Sequence, residues 1–105
     1  MGRLPKRFEQ FMETHPDIGR AYNDLGKAVS KAGPLDAKTC ALVKIGICIG
    51  SRQEGGARSN ARKALEAGAT PEEIRHAAIQ ATTSIGFASM MAGLTWVEDV
   101  IGDEQ

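Results

Sequence analysis

Apolar residues recur along this chain at helical spacing, broken by short polar or Gly/Pro punctuation. Leu4, Phe8, Phe11 and Met12 face one way while Lys6, Arg7, Glu9 and Gln10 face the other, the pattern of a short amphipathic helix. Thr14-His15-Pro16-Asp17 reads as a stop and a restart, with Pro16 in a first helical turn and Asp17 near its positive end. The second helix places Ile18, Tyr22, Leu25 and Val29 on one stripe, and Ala32-Gly33-Pro34 ends it.

The third helix opens at Asp36 and runs to about Gly50. Between Ala41 and Ile49 its only charge is Lys44, so apolar residues cover more than one face. Val43, Ile45, Ile47 and Ile49 would also suit a buried strand, but no second strand-like run exists to pair with them. Ser51 to Gly56 forms a polar elbow. The next helix lines Ala57, Ala61, Ala64 and Leu65 along one side, and Asn60 lies at the edge of that stripe, near enough to point inward. Gly68 caps this helix. Thr70-Pro71-Glu72-Glu73 is a capping box for the following one, whose stripe is Ile74, Ala77, Ala78, Ala81 and Ile85. After a bend at Gly86, a last helix from about Ser89 to Ile101 is apolar on two sides, and Gly102 to Gln105 reads as a solvated tail. The expected fold is all-α, about six helices in a single domain spanning residues 1–105.

Two helices with apolar surface on more than one side would leave part of it uncovered in a lone chain. Self-association is therefore expected. Thirteen basic and thirteen acidic residues cancel, so no global field draws nucleic acid or an anionic membrane. No apolar run is long enough to span a bilayer, and the N-terminal stretch lacks a signal peptide's apolar centre. Two cysteines without an export signal point to free thiols in the cytoplasm. His15 and His76 are far apart and lack partners at ligand spacing, so no metal site is expected. No cofactor is indicated either.

The segment Arg62 to Ile74, RKALEAGATPEEI, together with the lead-in Leu35 to Thr39 and the apolar helix after it, resembles the carboxymuconolactone decarboxylase-like family. That family includes the alkylhydroperoxidase D branch. The resemblance implies an all-helical domain assembled as dimers, trimers or hexamers, with a pocket where the third helix meets the helix carrying Asn60, often near a subunit boundary. One branch reduces hydroperoxides with a Cys-x-x-Cys pair and a histidine; the other decarboxylates a lactone acid without thiols. Aligned on Ala64 to Gly68, the two family cysteines fall on Gln53 and Gly56 and the histidine on Asn60. A family glutamate early in the third helix is also absent. Neither glutamine nor glycine can attack a peroxide or resolve a sulfenic acid, so two-cysteine peroxidase chemistry is not expected.

The chemistry that remains lies in the elbow. Arg52 and Gln53 suit substrate binding, Arg58 can fix a carboxylate, Asn60 can orient a carbonyl, and Glu54 can move a proton. That set fits a small carboxylic acid or lactone and, for an enzyme, a decarboxylase or lyase-type reaction. The plainer reading is that the arginines and glutamate are solvated surface charges. Cys48 is the alternative reactive group, a peroxidatic or nucleophilic thiol beside Arg52 or Arg58; buried, it would be a small hydrophobe. Cys40 and Cys48 stand about 12 Å apart along one helix, too far for a disulfide within it. A non-catalytic helical oligomer that has lost the site is the remaining alternative.

Overall fold

The computed structural model describes residues 6–104, and the side chains of residues 6–102. Leu4, expected to begin the first apolar stripe, lies outside them. All regular structure among the described residues is helical. The helices are α1 (Lys6–Thr14), α2 (Pro16–Ser30), α3 (Ala37–Gly50), α4 (Glu54–Glu66), α5 (Pro71–Ile79), α6 (Thr82–Ile85) and α7 (Phe87–Glu104). They divide into two compact units, one formed by α1 and α2, the other by α3 to α7.

In the first unit, α1 packs on α2 through an edge-on pair of Phe8 and Tyr22 rings, 6.3 Å between centroids. Gly19 makes room for Met12, whose sulfur would lie 2.5 Å from a Cβ built there. His15 occupies the cap position of α2 without a side-chain capping bond, stacked on Phe11 at 4.7 Å. The α2 stripe itself stays open: Ile18, Tyr22, Leu25 and Val29 are each more than half exposed.

The second unit is built around α3. Ala41, Ile45 and Ile49 repeat every four residues and are buried against Ala57, Ala61 and Ala64 of α4, Ile74 and Ala78 of α5, and Val97, Val100 and Ile101 of α7. The α4 alanines let two helix backbones approach, as the small-residue stripe requires. Gly93 does the same between α3 and α7, where a Cβ would fall 2.6 Å from Cγ2 of Ile49. The outward face of α3 leaves Val43 and Ile47 exposed, and Ile85, Phe87 and Met91 are exposed around α6 and the start of α7. The doubly apolar reading of α3 thus resolves into one buried face and one open face.

Three boundaries differ from the sequence reading, the first at the elbow, whose expected residues Glu54 to Gly56 already belong to α4. The stripe from Ile74 to Ile85 is not one helix: α5 ends at Ile79, and Ala81 N–H turns to the Ala78 carbonyl three residues back. Thr82 Oγ1 caps the Ile79 carbonyl at 2.7 Å, and the β-branched pair Thr82-Thr83 begins a separate short turn. At the other end α7 starts two residues earlier, directly after Gly86 (φ 105°), and continues to Glu104 rather than releasing a tail at Gly102.

The capping box forms as the sequence indicates. Glu73 N–H donates to Thr70 Oγ1 (3.1 Å) and Thr70 N–H donates to Glu73 Oε1 (2.9 Å). Lys38 Nζ reaches Glu73 from α3 at 3.2 Å, and Arg75 Nε holds Glu98 of α7 at 2.7 Å. These ion pairs sit at the surface, where each contributes at most about 1 kcal/mol. The burial of Ile45, Ile49, Ile74, Val97 and Ile101 dominates, at roughly 1.5–3 kcal/mol for each such side chain.

Candidate functional site

The elbow joining α3 to α4 is three residues long. Ser51 Oγ closes the last turn of α3 by donating to the Ile47 carbonyl at 2.9 Å. Arg52 takes the left-handed conformation (φ 59°), which is unusual for a residue with a Cβ. It turns the chain so that Gln53 N–H donates back to the Cys48 carbonyl at 2.7 Å. Gln53 then stands at the cap position of α4. The reversal brings the first turns of α4 alongside the end of α3.

Three residues meet there. Cys48, half-buried on α3, presses its sulfur against Gly56 of α4, so that a Cβ on Gly56 would lie 2.7 Å from it. Asn60, one turn further along α4, is 9% exposed. Its Nδ2 donates to the Gly56 carbonyl at 3.0 Å and lies 3.7 Å from Cys48 Sγ. Its Oδ1 is buried and has no hydrogen-bond partner among the described residues. The orientation of the carboxamide follows from this, since the flipped arrangement would set two oxygens 3.0 Å apart at Gly56. A buried acceptor left unpaired costs about 1–3 kcal/mol, an expense that folded proteins rarely carry without a reason.

The charged residues of the elbow are arranged differently. Arg58 Nη2 and Nε donate to Asp99 Oδ2 of α7, at 2.9 and 3.2 Å, while Nη1 donates to Glu54 Oε1 at 3.0 Å. The Asp99 carboxylate, more than Glu54, holds the guanidinium's affinity for its proton above the ordinary value, against the opposing effect of burial. Arg58 and Glu54 are therefore partners of each other and of Asp99. Arg52 lies outside that cluster: its Nη1 donates to Ser89 Oγ of α7 at 3.5 Å, the long limit of a hydrogen bond. Neither Asp99 nor Ser89 was singled out from the sequence, for each stands 37 or 41 residues from its partner.

The structure thus joins Cys48, Gly56 and Asn60 into one seam, with Gln53 beside it at the cap of α4, and Glu54, Arg58 and Asp99 into a second cluster. Cys40 and Cys48 are not in a disulfide. Among the described residues no three His, Cys, Asp or Glu side chains are grouped to hold a metal ion, and no helix is long and apolar enough to cross a membrane.

Residues 16–99, from the start of α2 into α7, match the carboxymuconolactone decarboxylase family. The chain belongs to that family. Its fold agrees with a solved carboxymuconolactone decarboxylase family protein from Legionella pneumophila, crystallised in the apo form. The TM-score is 0.78 at 18% identity, over 92% of this chain and 86% of that one. No curated protein matches the chain. Within this carboxymuconolactone decarboxylase family member, the positions that the resemblance assigns to the redox cysteines and histidine are Gln53, Gly56 and Asn60. Two of these, Gly56 and Asn60, are the residues in contact at the seam. Cys48, from outside the motif, supplies sulfur to the same place.

Proposed function

We propose that this carboxymuconolactone decarboxylase family protein binds or transforms a small carboxylic acid or lactone at the α3–α4 elbow, without a Cys-x-x-Cys pair. The observation that carries the reading is Asn60, buried in the seam with an unpaired oxygen that a ligand bearing an O–H or N–H beside its acid or lactone group would satisfy. Arg52 and Gln53 take the ligand's carboxylate. Arg52 suits this role better than Arg58, whose guanidinium already bridges Glu54 and Asp99. Glu54 moves a proton while Arg58, bonded to it and to Asp99, stays charged beside it, and a decarboxylase or lyase-type reaction fits this set. A transition state that develops charge on a carboxylate or enolate needs fixed cationic and polar groups rather than a thiol.

Self-association belongs to the same reading. Ile18, Tyr22, Leu25 and Val29 of α2 in the first unit, and separately Val43 and Ile47 of α3 with Phe87 and Met91 of α7 in the second, leave each unit with exposed apolar surface. A homo-oligomer (dimer, trimer or hexamer) would cover it. The family match over residues 16–99, from α2 into α7, supports reading that stretch as one domain. Two thiols outside any disulfide fit a cytoplasmic location.

A second reading rests on Cys48. Its sulfur accepts from Asn60 Nδ2 and is half-buried rather than sealed, an arrangement that suits a single peroxidatic thiol. Calorimetric titration with small acids and lactones, alongside a peroxide-consumption assay, separates the readings. The first expects saturable binding that weakens in Arg52→Ala, with peroxide consumption unchanged in Cys48→Ser. Peroxide consumption lost in Cys48→Ser would favour the second. Absence of both binding and turnover would leave a helical oligomer without a site.

A further inference from the structure

We infer that Asn60 reads its ligand as an acceptor, so that the acids the elbow takes are hydroxy acids, their hydroxyl donating to Oδ1. This rests on the acid-binding reading above and narrows it. Asn60 has two faces to offer, and the structure commits one of them. Nδ2 is held by the Gly56 carbonyl at 3.0 Å and also faces Cys48 Sγ, so it has little left to give a ligand carbonyl. Oδ1, on the same carboxamide, is buried and unpaired.

A carboxylate is ionised near neutral pH and carries acceptors alone. Placed at Oδ1 it would set oxygen against oxygen and leave both unsatisfied. A lactone carbonyl fails for the same reason. An O–H or N–H satisfies Oδ1, and among small acids the hydroxyl is the simplest such group. A site built around a buried acceptor rejects analogues that lack the donor, because rejection follows from the unpaired group rather than from shape. The ligand's carboxylate is then directed to the cationic side of the elbow, Arg52, and its hydroxyl to the seam. Asn60 is in this sense a specificity-determining residue, and the carboxylate contributes affinity without selecting between the two classes.

Titration calorimetry on the full chain tests this with two matched series: malate, its O-methyl ether and succinate; and mandelate, its O-methyl ether and phenylacetate. The expected result is that the hydroxy acid of at least one series binds about tenfold or more tightly than both of its relatives. In Asn60→Ala and Asn60→Leu the three members of that series should fall within about twofold of one another. The comparison on the unaltered protein stands even where a variant fails to fold. Equal affinities for hydroxy, methoxy and unsubstituted acids would overturn the role of Asn60 and leave acid binding intact. No binding by any of the six would overturn the acid-binding reading itself.

Discussion

The sulfur of Cys48 occupies the space that a side chain at Gly56 would need, 2.7 Å from the position of its Cβ. The two residues come from different helices, and the glycine is what allows the thiol to reach Asn60. Gly56→Ala should drive the sulfur off its contact with Asn60 and destabilise the protein by about 1–2 kcal/mol, overpacking outweighing the helix propensity gained. In a Cys48→Ala background the same change should become neutral or stabilising by up to about 1 kcal/mol. Chemical denaturation of the four proteins in this cycle gives the coupling. Additive effects would show that the close approach has no energetic consequence.

Gly93 is a harder constraint of the same kind. A Cβ there meets Cγ2, Cδ1 and Cγ1 of Ile49, all within 2.7 Å, and Ile49 is fully packed. Gly93→Ala should cost about 2–3 kcal/mol, because neither α3 nor α7 can shift without opening the core. Gly46, on the open face of α3 with nothing within 4 Å, is the control. Gly46→Ala should stabilise by about 0.5–1 kcal/mol through helix propensity. Urea midpoints check both signs.

The capping box of α5 carries a pH dependence. Thr70 N–H, and after it Lys38, hold the Glu73 carboxyl below the ordinary 4.5. Because the folded value is the lower one, the stabilisation is present above the ordinary value and is lost as pH falls from there through the folded value. Stability measured by urea unfolding should therefore decline as pH falls below the ordinary carboxylate value, less steeply in Glu73→Gln, which keeps an acceptor for the cap and cannot ionise. Thr70→Ala should cost about 1 kcal/mol at neutral pH, where the ionised Glu73 is no substitute for the lost cap oxygen.

Uncovered apolar residues on α2 lead to a prediction about assembly. Light scattering should return a mass that is a multiple of the single chain's 11.2 kDa. Tyr22→Asp and Leu25→Asp, which place charge on the open stripe, should lower that mass while leaving the helical circular dichroism largely in place. An unaltered protein that scatters as one chain would remove the proposal.

How much of this was legible beforehand depended on the distance over which each feature acts. The Thr70–Glu73 box, the alanine face of α4 and the inward placement of Asn60 are decided within one or two helical turns, and the sequence carried them. The break between Ile79 and Thr82 was hidden because the apolar spacing continues across it, while hydroxyl capping and two β-branched residues interrupt the backbone. Cys48 was placed in the helix preceding the motif, apart from the motif positions. What brings it to Gly56 and Asn60 is the left-handed turn at Arg52, a conformation that no residue-type signal announced. Arg58 could be read as a cation but not as a neutralised one, since its main partner, Asp99, lies 41 residues away on α7.

The central claim is that the elbow holds a ligand at Asn60. A two-dimensional amide correlation spectrum of the isotope-labelled protein, titrated with malate and separately with mandelate, tests it most directly. The side-chain amide of Asn60 and the backbone amides of Gly56 and Gln53 should shift together and saturate. Shifts that leave Asn60 and Gly56 unmoved, or a spectrum that responds neither to malate nor to mandelate, would contradict it.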